Sequence, residues 1–142
     1  MSKVTNISIM FHSAGSSAVS WQIGDLSNWD TSSVINMSGV FVCGNSATVV
    51  DIGDISNCNV SNVTNMNDMF YGFASKASVL DLGDIGKWNT SNVTSMKQMF
   101  YNTGYNASYM LDLSKWDVSK VTSYSGFNSG VTSKITAPTW VN

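Results

Sequence analysis

The chain has 142 residues, 43% of them hydrophobic and only 11% charged, with 11 Gly, 1 Pro, 2 Cys and a net charge of −2. The charged share is under half the roughly 25% of ordinary soluble domains, and a pI near 4.9 gives no electrostatic footprint for nucleic acid. No apolar run approaches the roughly 18 to 20 residues of a membrane span, and MSKVTNISIMF lacks a basic region followed by a long apolar stretch, so no signal peptide is expected.

One domain of about 150 residues fits this length, with enough apolar and aromatic content to bury a core rather than stay disordered. Ser, Thr and Asn do the solubilising that Lys and Glu usually do, a composition suited to an extracellular or virion-type surface. Cys43 and Cys58 are too few for a disulfide framework. A single bridge between them and two free thiols are the alternatives.

In chain order, the elements are copies of one unit. Val4-Thr5-Asn6-Ile7-Ser8-Ile9-Met10-Phe11 opens the series, followed by 23–32, which ends in Trp29-Asp30-Thr31-Ser32. Val34-Ile35-Asn36-Met37-Ser38-Gly39-Val40-Phe41 and then 52–61 repeat the pair. Val63-Thr64-Asn65-Met66-Asn67-Asp68-Met69-Phe70 with 82–91, and Val93-Thr94-Ser95-Met96-Lys97-Gln98-Met99-Phe100 with a shortened 113–119, repeat it twice more. A degraded copy starts at Val121, with Tyr124 and Phe127 at the apolar positions. Units therefore begin at 4, 34, 63 and 93, and residues 121–142 form a C-terminal cap in which Pro138 stops further pairing and residues 135–140 read as a closing strand. At the other end the series starts inside a repeat: either residues 1–5 close the stack or the chain is a piece of a longer array. A period of 28 to 30 residues over the whole chain means stacked units touching only their neighbours.

Each unit has two halves. Val63, Met66, Met69 and Phe70 fall at i, i+3, i+6 and i+7, one stripe of a short helix or helical turn, with Asn89-Thr90-Ser91 and its equivalents placed to cap it. Val79-Leu80-Asp81-Leu82 alternates as a short strand does, with Leu80 and Leu82 inward and Asp81 outward. Trp29, Trp88 and Trp116 occupy one inward position, which Cys58 fills in the second unit; Met37, Met66 and Met96 form another interior column. The expected fold is a right-handed α/β solenoid of about four and a half leucine-rich-repeat-like coils, one short parallel strand and one short helical turn per coil.

Asn89-Thr90-Ser91-Asn92-Val93-Thr94-Ser95-Met96 with Met99-Phe100 resembles the bacterial surface protein repeat, the BspA-like leucine-rich repeats also found in mycoplasma lipoproteins, which read roughly L-D-L-S-x-W/F-D-T-S-x-V-T-x-M-x-x-M-F. Residues 111–122 follow that pattern almost residue by residue, whereas the other units carry a Gly-Asp-Ile type insertion after the strand. The resemblance implies a solenoid used on cell surfaces for adhesion and protein recognition, without catalysis, and brings no catalytic or metal motif to transfer.

Stacking in register would align Asp51, Asp81 and Asp112, with Gln22 in the first copy, and in a second file Asp25, Asp54 and Asp84. Like charges at that spacing repel. Ca²⁺ between coils would compensate them, as would hydrogen bonds from backbone amides, Ser or Thr of an adjacent coil; a partner contact on the exposed strand face is the third reading. Tyr71, Phe73, Tyr101, Tyr105 and Tyr109 cluster on loops after the Met-Phe pair and are of the type that anchors interfaces, unless they fold down over the coil edges. His12 is the single histidine, which rules out a multi-histidine metal site, and phosphate-binding Gly loops are absent. The repeat itself generates the Asn-x-Ser/Thr sequons.

The functional expectation is a non-enzymatic protein-binding module, for adhesion or recognition, presenting a strand face and Tyr-rich loops. Its alternatives are a stand-alone intracellular or phage-encoded interaction protein or inhibitor, and a glycan-binding module. No cofactor, nucleic-acid or membrane-inserting role is expected. A longer exported chain would place it at the cell surface, a self-contained one in the cytoplasm.

Overall fold

The computed structural model describes residues 3–141; Met1, Ser2 and Asn142, at the ends of the two expected caps, lie outside the described residues. Among the described residues four short strands form, β1 (Ser20–Gln22), β2 (Val49–Asp51), β3 (Leu111–Asp112) and β4 (Ile135–Thr136). β1 pairs with β2, and β3 with β4, both parallel. Between copies runs a ladder of parallel bridges, Asn6 to Asn36 to Asn65 to Ser95 to Ser123. Each step joins equivalent positions, so matching letters in neighbouring copies lie side by side.

The segments expected as helical turns are chains of tight turns instead, and among the described residues the one helix is a 3-10 turn at Ile85–Lys87. The hydrogen bonds give the reason. In the third copy the amides of Met69, Tyr71 and Phe73 donate to carbonyls three residues back, at 3.0–3.3 Å. Those of Met66, Asp68, Phe70 and Gly72 donate instead to Ser95, Lys97, Met99 and Tyr101 of the next copy, at 2.7–2.9 Å. An α-helix would need every amide for an i−4 carbonyl. Here every second amide holds the neighbouring copy.

That alternation requires a left-handed residue at one recurring position. Ile9, Gly39, Asp68, Gln98 and Gly126, one per copy, all have φ between 51° and 68°. Only Gly takes this conformation without steric cost.

Asn89 and its equivalents accept backbone amides as expected, but close turns rather than cap helices: Ser32, Ser61, Ser91 and Ser119 donate to the Oδ1 of Asp30, Asn59, Asn89 and Asp117. This is the Asx turn.

The core is built of files. Val34, Val63, Val93 and Val121 are buried, as are Met37, Met66 and Met96. Phe11, Phe41, Phe70 and Phe100 stack in sequence with ring centroids 5.3–5.8 Å apart. Trp88 and Trp116 stack at 6.1 Å. At the C-terminal end Trp140 lies flat on Tyr124 at 4.3 Å and edge-on to Phe127 at 4.9 Å, covering the last of the Phe file. Lys134 reaches back to donate to the carbonyls of Gly104, Tyr105 and Ala107.

Candidate functional site

Two surfaces carry the side chains singled out from the sequence. On the strand face Asp51, Asp81 and Asp112 are exposed. Gln22 and Asp51 sit opposite each other in register. Further along, the bridge Val79 to Ser108 is offset by 29 residues, whereas Asp112 lies 31 residues beyond Asp81, so the expected alignment of these two carboxylates does not follow from the ladder. From leading valine to carboxylate the fourth copy runs 19 positions against 18 in the third.

Their charge is handled locally. The amides of Gly53, Gly83 and Ser114 donate 2.8–2.9 Å to Oδ1 of Asp51, Asp81 and Asp112, and Ser27 and Ser56 do the same for Asp25 and Asp54. Hydrogen bonds from the serine two residues on hold the carboxyls of Asp25, Asp54 and Asp112 below the usual range. Among the described residues no three His, Cys, Asp or Glu side chains gather where a metal ion could sit.

One part of this face was not singled out from the sequence. Val19, Val49, Val79 and Met110 lie outward, 51–77% exposed. The signal was present: in Val79-Leu80-Asp81-Leu82 an outward Asp81 requires an outward Val79. Apolar side chains thus accompany the acidic ones on the exposed side of the strands.

The second surface is made by the turns. Tyr71 and Tyr101 stack with centroids 4.8 Å apart and planes at 6°, and Tyr105 stands 56% exposed. Tyr109 folds down instead: its hydroxyl donates to the Thr103 carbonyl at 2.7 Å, its ring lies below the Lys134 ammonium, and burial pushes its ionisation up. Phe73 must be removed from the candidate surface. It is fully buried and packs against Trp21, Phe41 and Phe70, because left-handed Gly72 and Ala74 on either side turn the chain so that its ring points inward.

The remaining reactive groups are quiet. Both cysteines are free thiols, and burial pushes Cys43 up to about 12, far from a thiolate at neutral pH. His12 is exposed and hydrogen-bonded to the Ser13 hydroxyl at 2.9 Å. No helix is long and apolar enough to cross a membrane among the described residues.

Stacked copies, an apolar-acidic strand face and paired tyrosines define the class as a repeat protein with extended surfaces. Residues 1–78 match a family described as "Mycoplasma protein of unknown function, DUF285", and the chain belongs to that family. No curated protein and no solved structure matches it.

Proposed function

We propose that this chain is a non-enzymatic, protein-binding repeat module, built as a solenoid of the BspA-like kind, that recognises its partner through the strand face and the tyrosine-bearing turns. The observation that carries this reading is the exposure of Val19, Val49, Val79 and Met110 beside Asp51, Asp81 and Asp112. Exposed apolar side chains of this size cost solubility unless something covers them, and carboxylates beside them supply the polar part of a protein interface. The pairing of β1 with β2 and of β3 with β4, and the bridge from Val79 to Ser108, hold this face in place, so little ordering entropy is lost on binding.

The test is a comparison of the wild type with a variant carrying Val49→Ser, Val79→Ser and Asp81→Asn, three exposed positions whose replacement leaves the core intact and keeps the turn that Asp81 closes. The wild type should retain a protein partner from cell lysate, with cross-links mapping to residues 79–81, and the variant should lose it at unchanged melting temperature. Equal retention by both would exclude the strand face.

A further inference from the structure

We propose that the groove between the first and third copies, walled by Ile9, Val42, Asp68 and Tyr71, is a docking site for a lysine or arginine side chain presented by a protein partner. This rests on the protein-binding reading above and gives the partner's chemistry at a surface made of other residues. The groove encloses about 440 Å³ and crosses four copies, from Ile9 and His12 through Gly39 and Asp68 to Gln98.

Asp68 is the residue that sets it apart. The chain has nine acidic side chains, all Asp. Seven accept the backbone amide two residues on, and Asp84 pairs with Lys87 at 3.9 Å. The Asp68 carboxylate does neither. It is half-buried, and that burial pushes its ionisation up while the charge of nearby Lys97 lowers it. An uncommitted carboxylate in a partly dry groove attracts a cation more strongly than one in open water. It is also the one carboxylate in the groove lining.

The walls fit the rest of such a side chain. Lysine and arginine carry an apolar stem that lies against apolar surface while the charged head reaches a partner; Ile9 and Val42 offer that surface. Tyr71, held by its stack on Tyr101, offers an aromatic group to the cation. Gly39 makes the space: a Cβ there would lie 3.1 Å from Ile9 Cγ2 and 3.7 Å from Val42 Cγ2, so a side chain would fill the gap.

Ile9 itself is an independent sign. It is 63% exposed and adopts φ 54°, a left-handed backbone that β-branched residues avoid. Solubility and backbone strain both oppose isoleucine at this position. Strain of this kind persists where a surface has work to do, and contact with a partner's apolar flank is work that glycine could not perform.

The experiment is an NMR titration of the ¹⁵N-labelled protein with the peptide acetyl-Ala-Lys-Val-Lys-Ala-amide, and with the same peptide carrying glutamate for lysine. The lysine peptide should give saturable shifts at residues 9, 42, 68 and 71, and Asp68→Asn should weaken it about tenfold without altering the melting temperature by more than a degree or two. Ile9→Gly should weaken binding while raising the melting temperature, opposite signs that a merely structural role would not produce. Absence of saturable shifts in the groove, equal shifts with the glutamate peptide, or binding indifferent to Asp68→Asn would each overturn the proposal. Shifts confined to residues 79–81 would overturn it too, while leaving the protein-binding reading standing.

Discussion

The indole N–H of Trp116 donates 3.0 Å to the carbonyl of Ile85, in the copy before it. Trp88 makes the same bond to Ile55 at 3.2 Å. In the second copy the equivalent position is Cys58, which has no indole, and a small apolar cavity of about 20 Å³ lies beside it, lined by Leu26, Trp29, Cys58 and Trp88 among others. That gap has room for about one water, far less than an indole adds, so Cys58→Trp should overpack the second copy and cost about 1–3 kcal/mol, read as a lower melting temperature by calorimetry. A higher melting temperature would show that the file can take the ring and its hydrogen bond.

Left-handed positions make a second prediction with opposite signs at equivalent sites. Gln98→Gly relieves a strained φ of 51° and should stabilise by about 0.5–1 kcal/mol. Gly39→Ala places a Cβ at φ 63° and should destabilise by about 1 kcal/mol or more. Urea denaturation of both variants checks the pair; effects of the same sign would refute the turn geometry.

Adjacent residues Phe70 and Tyr71 should behave very differently. Phe70 is fully buried between Phe41 and Phe100, so Phe70→Ala should cost about 3–5 kcal/mol and threaten folding. Tyr71→Ala removes an exposed ring and should change stability by less than about 1 kcal/mol. Chemical denaturation distinguishes the two.

Acid should weaken the fold through its turns. Hydrogen bonds from serine hold the carboxyls of Asp25, Asp30, Asp54, Asp112 and Asp117 below the ordinary carboxylate range. A carboxyl depressed in the folded state contributes stability that is fully present above its unfolded value and is lost as pH falls through the folded one. The melting temperature should be level from neutral pH down to about 5 and fall below about 4. Asp30→Asn and Asp117→Asn should flatten that fall while keeping the turns, since Asn59 and Asn89 already form them uncharged. Asp68, whose ionisation is raised, should act the other way and give back a little stability on protonation. A melting profile indifferent to pH down to 2 would refute the assignment.

Calcium should have no effect on melting. The carboxylates that a stacked ion would need accept backbone amides instead, and a ligand bound only by the folded state must raise the melting temperature with its concentration. Melts with millimolar calcium and with chelator should superimpose; a rise with calcium would reopen the metal reading.

Much of this was legible in the letters. The valine, methionine and tryptophan positions recur at a spacing that predicts files, and Val63, Met66 and Trp88 occupy them. The carboxylates' partners were legible in kind only: backbone amides do cap them, but from two residues along the same turn and not from the adjacent coil, because short side chains in turns reach their own backbone first. What the residues of one copy could not reveal was the destination of their amides. The i, i+3, i+6 spacing of Val63, Met66 and Met69 suits a helix as well as a row of turns, and the choice fell to turns because Met66, Asp68 and Phe70 found carbonyls in the next copy. The same turns buried Phe73 and left Asp68 uncommitted. Local chemistry and period are properties of the chain alone; which way a side chain faces depends on left-handed backbone that only neighbouring copies, once stacked, hold in place.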